Sequence, residues 1–267
     1  MKKTGSKWMA LAGLAVLVMS SSSAHATWTF SASGTDAGLG DGTKLAVTSN
    51  IVDSSGGPKL SIGGLYAAND TSDNMGFASG AKWVSGALVY YGGGLGMASD
   101  GASQPNHAID NSGANTESVL LHFDASVILN SVSFGYVSGD SDFTVYRYTG
   151  AGDPSSLVNV SPTAMSGWTL LNNYNGGSSA ATNSLSNTTL GSSWWLISAY
   201  NKGFGGSLDQ ADDYFKMSAV SGIKCTSGGG RDCGSQASGV PEPASLALVA
   251  VAIAGAAGSV TRRKPMA

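Results

Sequence analysis

Ser131-Val132-Ser133-Phe134-Gly135-Tyr136-Val137 runs into Ser138-Gly139-Asp140-Ser141-Asp142 and then into Phe143-Thr144-Val145-Tyr146-Arg147-Tyr148. In the first part Val132, Phe134 and Tyr136 alternate with Ser131, Ser133 and Gly135. A period of two puts the large side chains on one face of a strand and the small ones on the other. Ser138-Gly139-Asp140-Ser141 is turn chemistry, since Gly supplies backbone freedom and Asp and Ser bond back to the main chain. The third part alternates again. Together they predict a β-hairpin, and with it an antiparallel sheet.

Outward from this stretch, similar patterns mark strands at 28–33, 44–52, 59–67, 83–91, 118–124, 168–174, 194–200 and 214–220. Charged residues make up 12% of the 267-residue chain, against about 25% in ordinary domains, and 38 residues are glycine. Helix formers are scarce, and hydroxyl and amide groups replace charge on the surface. About ten short strands with Gly, Asn, Asp and Ser between them predict an all-β fold, an antiparallel β-sandwich of jelly-roll type. Segment 175–190 reads as an exposed loop and 228–239 as a flexible stalk. Gly92-Gly93-Gly94-Leu95-Gly96 follows a strand but no helix, so it reads as a loop and not as a phosphate cradle.

Both ends carry export signals. Lys2, Lys3 and Lys7 precede an apolar run at 8–19, and Ala24-His25-Ala26 is a small-x-small cleavage site, so 1–26 reads as a signal peptide with Thr27 as the mature N-terminus. At the other end Pro241-Glu242-Pro243 opens an uncharged run at 244–260, closed by Arg262-Arg263-Lys264. Prolines on both sides of Glu242 favour an extended strip that a processing enzyme can grip. The seventeen apolar residues are at the short end of the roughly 17–25 that cross a bilayer as a helix. The basic cluster would hold the C-terminus in the cytoplasm, with the body on the far side. Four regions follow: signal peptide 1–26, β-sandwich 27–224, a disulfide loop and stalk 225–239, and a sorting tail 240–267 with a transmembrane helix.

Pro241-Glu242-Pro243, the short membrane segment and Arg262, Arg263 and Lys264 resemble the PEP-CTERM proteins of Gram-negative bacteria. Asp212-Asp213-Tyr214-Phe215-Lys216 and the setting of Val240-Pro241-Glu242-Pro243 are similar to the exosortase-dependent surface proteins of that group. The resemblance implies that a membrane-embedded exosortase cuts the tail near the motif. It implies transient anchoring in the inner membrane, then a place on the cell surface or in the extracellular matrix. It further implies association with exopolysaccharide and biofilm, and glycosylation of the Ser/Thr-rich body. The alternative is a permanent single-pass anchor.

Without the six basic residues of the two termini and Glu242, the body keeps eight basic and sixteen acidic residues, a net charge near −8. Such a surface repels phosphate backbones, which argues against nucleic acid as a partner. Signals for catalysis are few. The body holds His107 and His122, a single Glu at 117, and no GxSxG or HExxH motif. His122 alternates with Leu120 and Asp124 on one strand face, as a hydrogen-bonded sheet residue would, and His107 follows Gln104-Pro105-Asn106 in a loop. The expectation is a non-enzymatic protein, with a secreted hydrolase as the least supported class.

Cys225 and Cys233 form an even pair in an exported chain, and Thr226-Ser227-Gly228-Gly229-Gly230 is supple enough to close a disulfide between them. No organic cofactor is expected. Calcium is the one candidate ion, with Asp70 and Asp73 in one acidic cluster, Asp140 and Asp142 in another, and a similar cluster at 209–213. None fits an EF-hand loop, and Asp and Asn also simply make turns. Adjacent Trp194 and Trp195 must face opposite ways on a strand. An outward tryptophan could stack on a sugar ring, so both are glycan-contact candidates for the alternative role of a carbohydrate-binding module. The leading expectation is a structural or adhesive surface protein.

Overall fold

The structure is a computed structural model and describes residues 25–30, 38–41, 51–53, 57–70, 76–98, 107–187, 189–209, 211–225 and 233. Ser23–Gln236 forms one compact unit, separate from Met1–Ser22 and Ala237–Ala267. Most of the signal peptide, the sorting tail, the stalk, most of the strand expected at 44–52, and Asp73 lie outside the described residues. Among the described residues no helix is long and apolar enough to cross a membrane.

In chain order the strands are β1 (His25–Phe30), β2 (Gly38–Asp41), β3 (Ile51–Asp53), β4 (Leu60–Ala68), β5 (Val84–Tyr91), β6 (Gly94–Met97), β7 (Ile109–Asp110), β8 (Asn115–Val137), β9 (Phe143–Tyr148), β10 (Trp168–Tyr174), β11 (Thr182–Ser184), β12 (Ser192–Ala199) and β13 (Tyr214–Lys224). The one helical element described is a 3-10 turn at Lys202–Phe204, which Asn201 caps by accepting from the Gly203 N–H at 2.8 Å. The expected antiparallel all-β class is what the chain adopts. The expected pair of facing sheets is replaced by one 13-stranded sheet that closes on itself, since β8, β4, β5, β6 and β13 form a hydrogen-bonded ring that returns to β8. This ring is a β-barrel core, and β12, β9 and β10 extend it on one side and β1 and β3 on another.

Closure depends on β8, whose 23 residues far exceed the usual five or six. Its first half pairs with β4 from Asn115 to Phe123, and its second half pairs with β13 from Val127 to Val137. Val127 also faces Ser192 of β12, so β12 occupies the edge opposite to β13 and β4. The sequence reading splits this strand because Asp124-Ala125-Ser126 lacks apolar alternation. These residues are the hand-over point, where the Lys59 N–H donates to Asp124 Oδ1 at 2.9 Å and the Cys225 N–H to the Ser126 carbonyl at 3.0 Å.

The two strands of the opening stretch form, but they are not partners. β9 pairs instead with β12, which joins it to the first half of β8 through Ile197, facing Val145 and Val119, while the 131–137 half of β8 pairs with β13 and, at Ser131–Ser133, with β11. The physical reason is in β12 itself, which is apolar on both faces and therefore belongs at the centre of a sheet. Trp195, Ile197 and Ala199 join the principal core with Trp28, Phe123, Phe143 and Phe215. Trp194 and Leu196 join a second cluster with Trp83, Leu157, Met165, Trp168 and Phe204. The β9–β10 connection roofs this second face, tied down by the Trp83 N–H to the Val160 carbonyl and the Asn159 N–H to the Trp83 carbonyl, both at 2.9 Å.

Two expected loops contain short strands. Gly92 and Gly93 make the turn of a tight β5–β6 hairpin in which Tyr91 faces Gly94. Gly94 has φ of +131°, and a Cβ there would collide with the Met217 carbonyl, so only glycine fits. Within 175–190, β11 pairs with β8 at Ser131–Ser133, and Leu185 is fully buried.

Candidate functional site

A polar seam crosses the end of the body where the β8–β9 and β12–β13 connections meet. It begins at Asn69, whose Nδ2 donates to the Asn111 carbonyl at 2.9 Å and whose Oδ1 accepts from Thr116 and Asn201. Asn111 and Asp213 then bond reciprocally: Asn111 Nδ2 donates to Asp213 Oδ2 at 2.6 Å, and the Asp213 N–H to Asn111 Oδ1 at 2.7 Å. Asp213 Oδ1 in turn accepts from the Asp142 N–H at 2.5 Å. Backbone bonds from Tyr214 to the Asp140 carbonyl and from Tyr200 to the Asp142 carbonyl hold the β8–β9 connection against β13 and β12.

This framework gathers carboxylates. Asp140, Asp142 and Asp209 each present a ligand oxygen, and these oxygens lie within 4.8 Å of one another, the three residues being half-buried, buried and exposed in that order. Asp213 is buried beside them. Burial, and after it the charge of Asp142, pushes the Asp213 carboxyl up to about 9. Burial and then Asp140 lift Asp142 to about 6, against the Gly176 N–H that favours its charged form. The sequence names Asp140 and Asp142 as ion ligands and flags 209–213 separately. What it lacks is the fold that brings Asp209 to them. Asp70 is exposed and stands outside this group, and Asp73 is not among the described residues.

The tryptophan pair is placed differently from the expectation. Trp195 is fully buried, with its indole N–H on the Ser192 carbonyl at 3.0 Å, so it has no face for a ligand. Trp194 is 9% exposed, stacks on His122 at 3.9 Å between ring centres, and points its N–H at Asp153 Oδ1. Its outward face is thus covered by the protein. Desolvation holds His122 below its ordinary value, against the pull of Asp153 and Asp124.

A cleft of about 540 Å³ opens between β1, β8 and the β11 region, lined by Thr27, Asn130, Ser131, Ser184, Asn187 and Ser221 among others. Ser, Thr and Asn side chains line it together with Ile128 and Ile223. His25 belongs to its wall and, like Ala26, to the segment assigned to the signal peptide. Ala26 is buried opposite Gly222, whereas Thr27 and Trp28 pair with Ser221 and Val220 and so keep the strand after a cut at Thr27. Ala24 is outside the described residues. Cys225 and Cys233 form the expected disulfide, with Cα atoms 5.2 Å apart.

None of these features names a reaction, and the decisive match is in the tail. Residues 239–264 match the family model described as the PEP-CTERM protein-sorting motif. The chain carries a PEP-CTERM sorting signal. Pro241, Glu242, Pro243, Arg262, Arg263 and Lys264 all fall within the matched span. The PEP-CTERM signal implies export, processing by exosortase, and a surface or extracellular destination. No curated protein matches the chain.

Proposed function

We propose that this chain is a structural or adhesive protein of the cell surface or extracellular matrix, delivered there by exosortase cleavage and associated with exopolysaccharide and biofilm. The observation that carries the reading is the PEP-CTERM match over 239–264, where Pro241-Glu242-Pro243 precedes an apolar run and a basic end. The body adds support in its composition. A surface low in charge and rich in Ser, Thr, Asn and Gly can make many weak hydrogen bonds to hydrated polymers and offers hydroxyls for glycosylation. The role is not catalytic, a reading supported by the scarcity of Glu and His and by the absence of catalytic motifs from the sequence. Of the alternatives, a carbohydrate-binding module loses its stacking platform with the burial of Trp194 and Trp195.

The test compares intact mass and cell fraction of the wild type with a variant carrying Ala at 241, 242 and 243. Wild-type protein lacking the residues after the motif, beside a variant that keeps its tail in the inner membrane, is the expected result. An uncut tail in the inner membrane in both proteins would reject exosortase processing.

A further inference from the structure

Asp140 and Asp142 come from the β8–β9 connection and Asp209 from the β12–β13 connection, yet one carboxylate oxygen of each lies within 4.8 Å of the other two. Oxygens that each sit about 2.4 Å from one ion are at most about 4.8 Å apart, so the observed spacing allows the three to share one cation. A second observation is independent of this clustering. Asp142 is 1% exposed, its Oδ1 accepts from the Gly176 N–H at 3.3 Å, and its Oδ2 is fully buried with no hydrogen-bond partner. Buried carboxylate oxygens are otherwise satisfied by donors, because an orphaned one forfeits its hydration for nothing. Nearby, the Tyr200 hydroxyl is also buried without a well-formed hydrogen bond, close enough to feel Asp142 and Asp213. The charges acting on Asp142 and Asp213 are those of other aspartates. The buried oxygen therefore lacks both a donor and a counter-charge.

We infer that Asp140, Asp142 and Asp209 bind a divalent cation of the calcium class. The donors are all oxygens, with no imidazole or thiolate, which selects a hard cation over zinc or copper. Calcium also accepts the irregular geometry of three carboxylates from two loops, with backbone carbonyls and water completing its shell, more readily than magnesium does. Asp213 is not a ligand here. It takes the Asp142 N–H and the Asn111 amide, and so holds the Asp142 backbone in place behind the ion. Bound calcium ties the connection after β8 to the one before β13, the two strands whose pairing closes the barrel. An exported protein meets the millimolar calcium that such a site, with one exposed ligand, requires.

The experiment strips the full chain with a chelator, then titrates it with calcium or magnesium chloride, reading heat of binding, bound metal and melting temperature. Calcium at about a hundred times its dissociation constant should raise the melting temperature by about 5–10 °C. Magnesium should do less. Asp142→Asn and Asp209→Asn should each weaken calcium binding at least about tenfold, while Asp70→Asn, outside the cluster, should not. Asp209 is exposed, so its variant reports on binding even if Asp142→Asn folds poorly. Wild type that binds no calcium up to about 10 mM overturns the proposal. So does binding that both cluster variants leave unchanged, or an Asp142→Asn protein more stable than wild type with no calcium effect in either, which would mean the cluster is simply protonated.

Discussion

Trp194 and Trp195 are neighbours with different surroundings. Trp195 fills the principal core, and Trp195→Ala should cost about 3–5 kcal/mol, measured by urea unfolding. Trp194 sits in the second cluster, stacked on His122. Because burial depresses the His122 pKa, the unfolded chain takes up a proton more readily than the native one. Its contribution to stability is therefore complete above its ordinary value of about 6.5 and is lost as pH falls below that. Asp142, lifted to about 6, acts with the opposite sign, so the slope of interest is the difference between wild type and His122→Gln from about pH 8 to pH 5. Stability of the wild type should fall more steeply than that of the variant on acidification, as read by melting at each pH. That one of the two tryptophans faces the core was legible, since adjacent strand residues alternate. That the other is covered as well depends on the β9–β10 connection, which has no periodic pattern to announce it.

Strands with clean alternation were recovered from their residues: β1, β4, β5, β9, β10, β12 and β13 all overlap their expected positions. Pairing was harder to read than position. The 131–148 stretch looks like a hairpin because turn chemistry between two alternating runs is a local signal, but β12, apolar on both faces, takes the edge of β9, and β13 and β11 take the 131–137 run of β8. β6 and β11 were missed for a related reason, since Gly94-Leu95-Gly96-Met97 and Thr182-Asn183-Ser184 carry too few large side chains to alternate. Among the connections, the disulfide has a definable role. Cys225 is the residue after β13 and bonds through its N–H to Ser126 at the hand-over in β8, while Cys233 is buried near Gly191. The loop it closes is short, so Cys225→Ser should lower stability by about 2–3 kcal/mol. Thermal or urea unfolding checks this, and adding reductant to the wild type should reproduce it.

Ser23–Gln236 forms a compact unit that excludes the matched sorting span at 239–264. Sorting and folding should therefore separate. The triple alanine replacement at 241–243 is expected to abolish processing while leaving far-UV circular dichroism and the melting temperature of the body unchanged. Loss of both together would mean that the tail takes part in folding. The charge follows the same division, since the body has a net charge near −8 while the sorting span ends in Arg262, Arg263 and Lys264.

Order of residues alone was enough for the sorting motif, the β class and the cysteine pairing, because each is a local or compositional property: a Pro-Glu-Pro strip, a period of two, a pair of thiols nearby in the chain. Closure of the sheet through β8, the seating of β12 between β8 and β9, and the meeting of Asp209 with Asp140 and Asp142 arose only in the tertiary structure. Each of these depends on which distant surfaces bury the most apolar area together, a choice made by the whole chain at once and recorded in no single stretch of it.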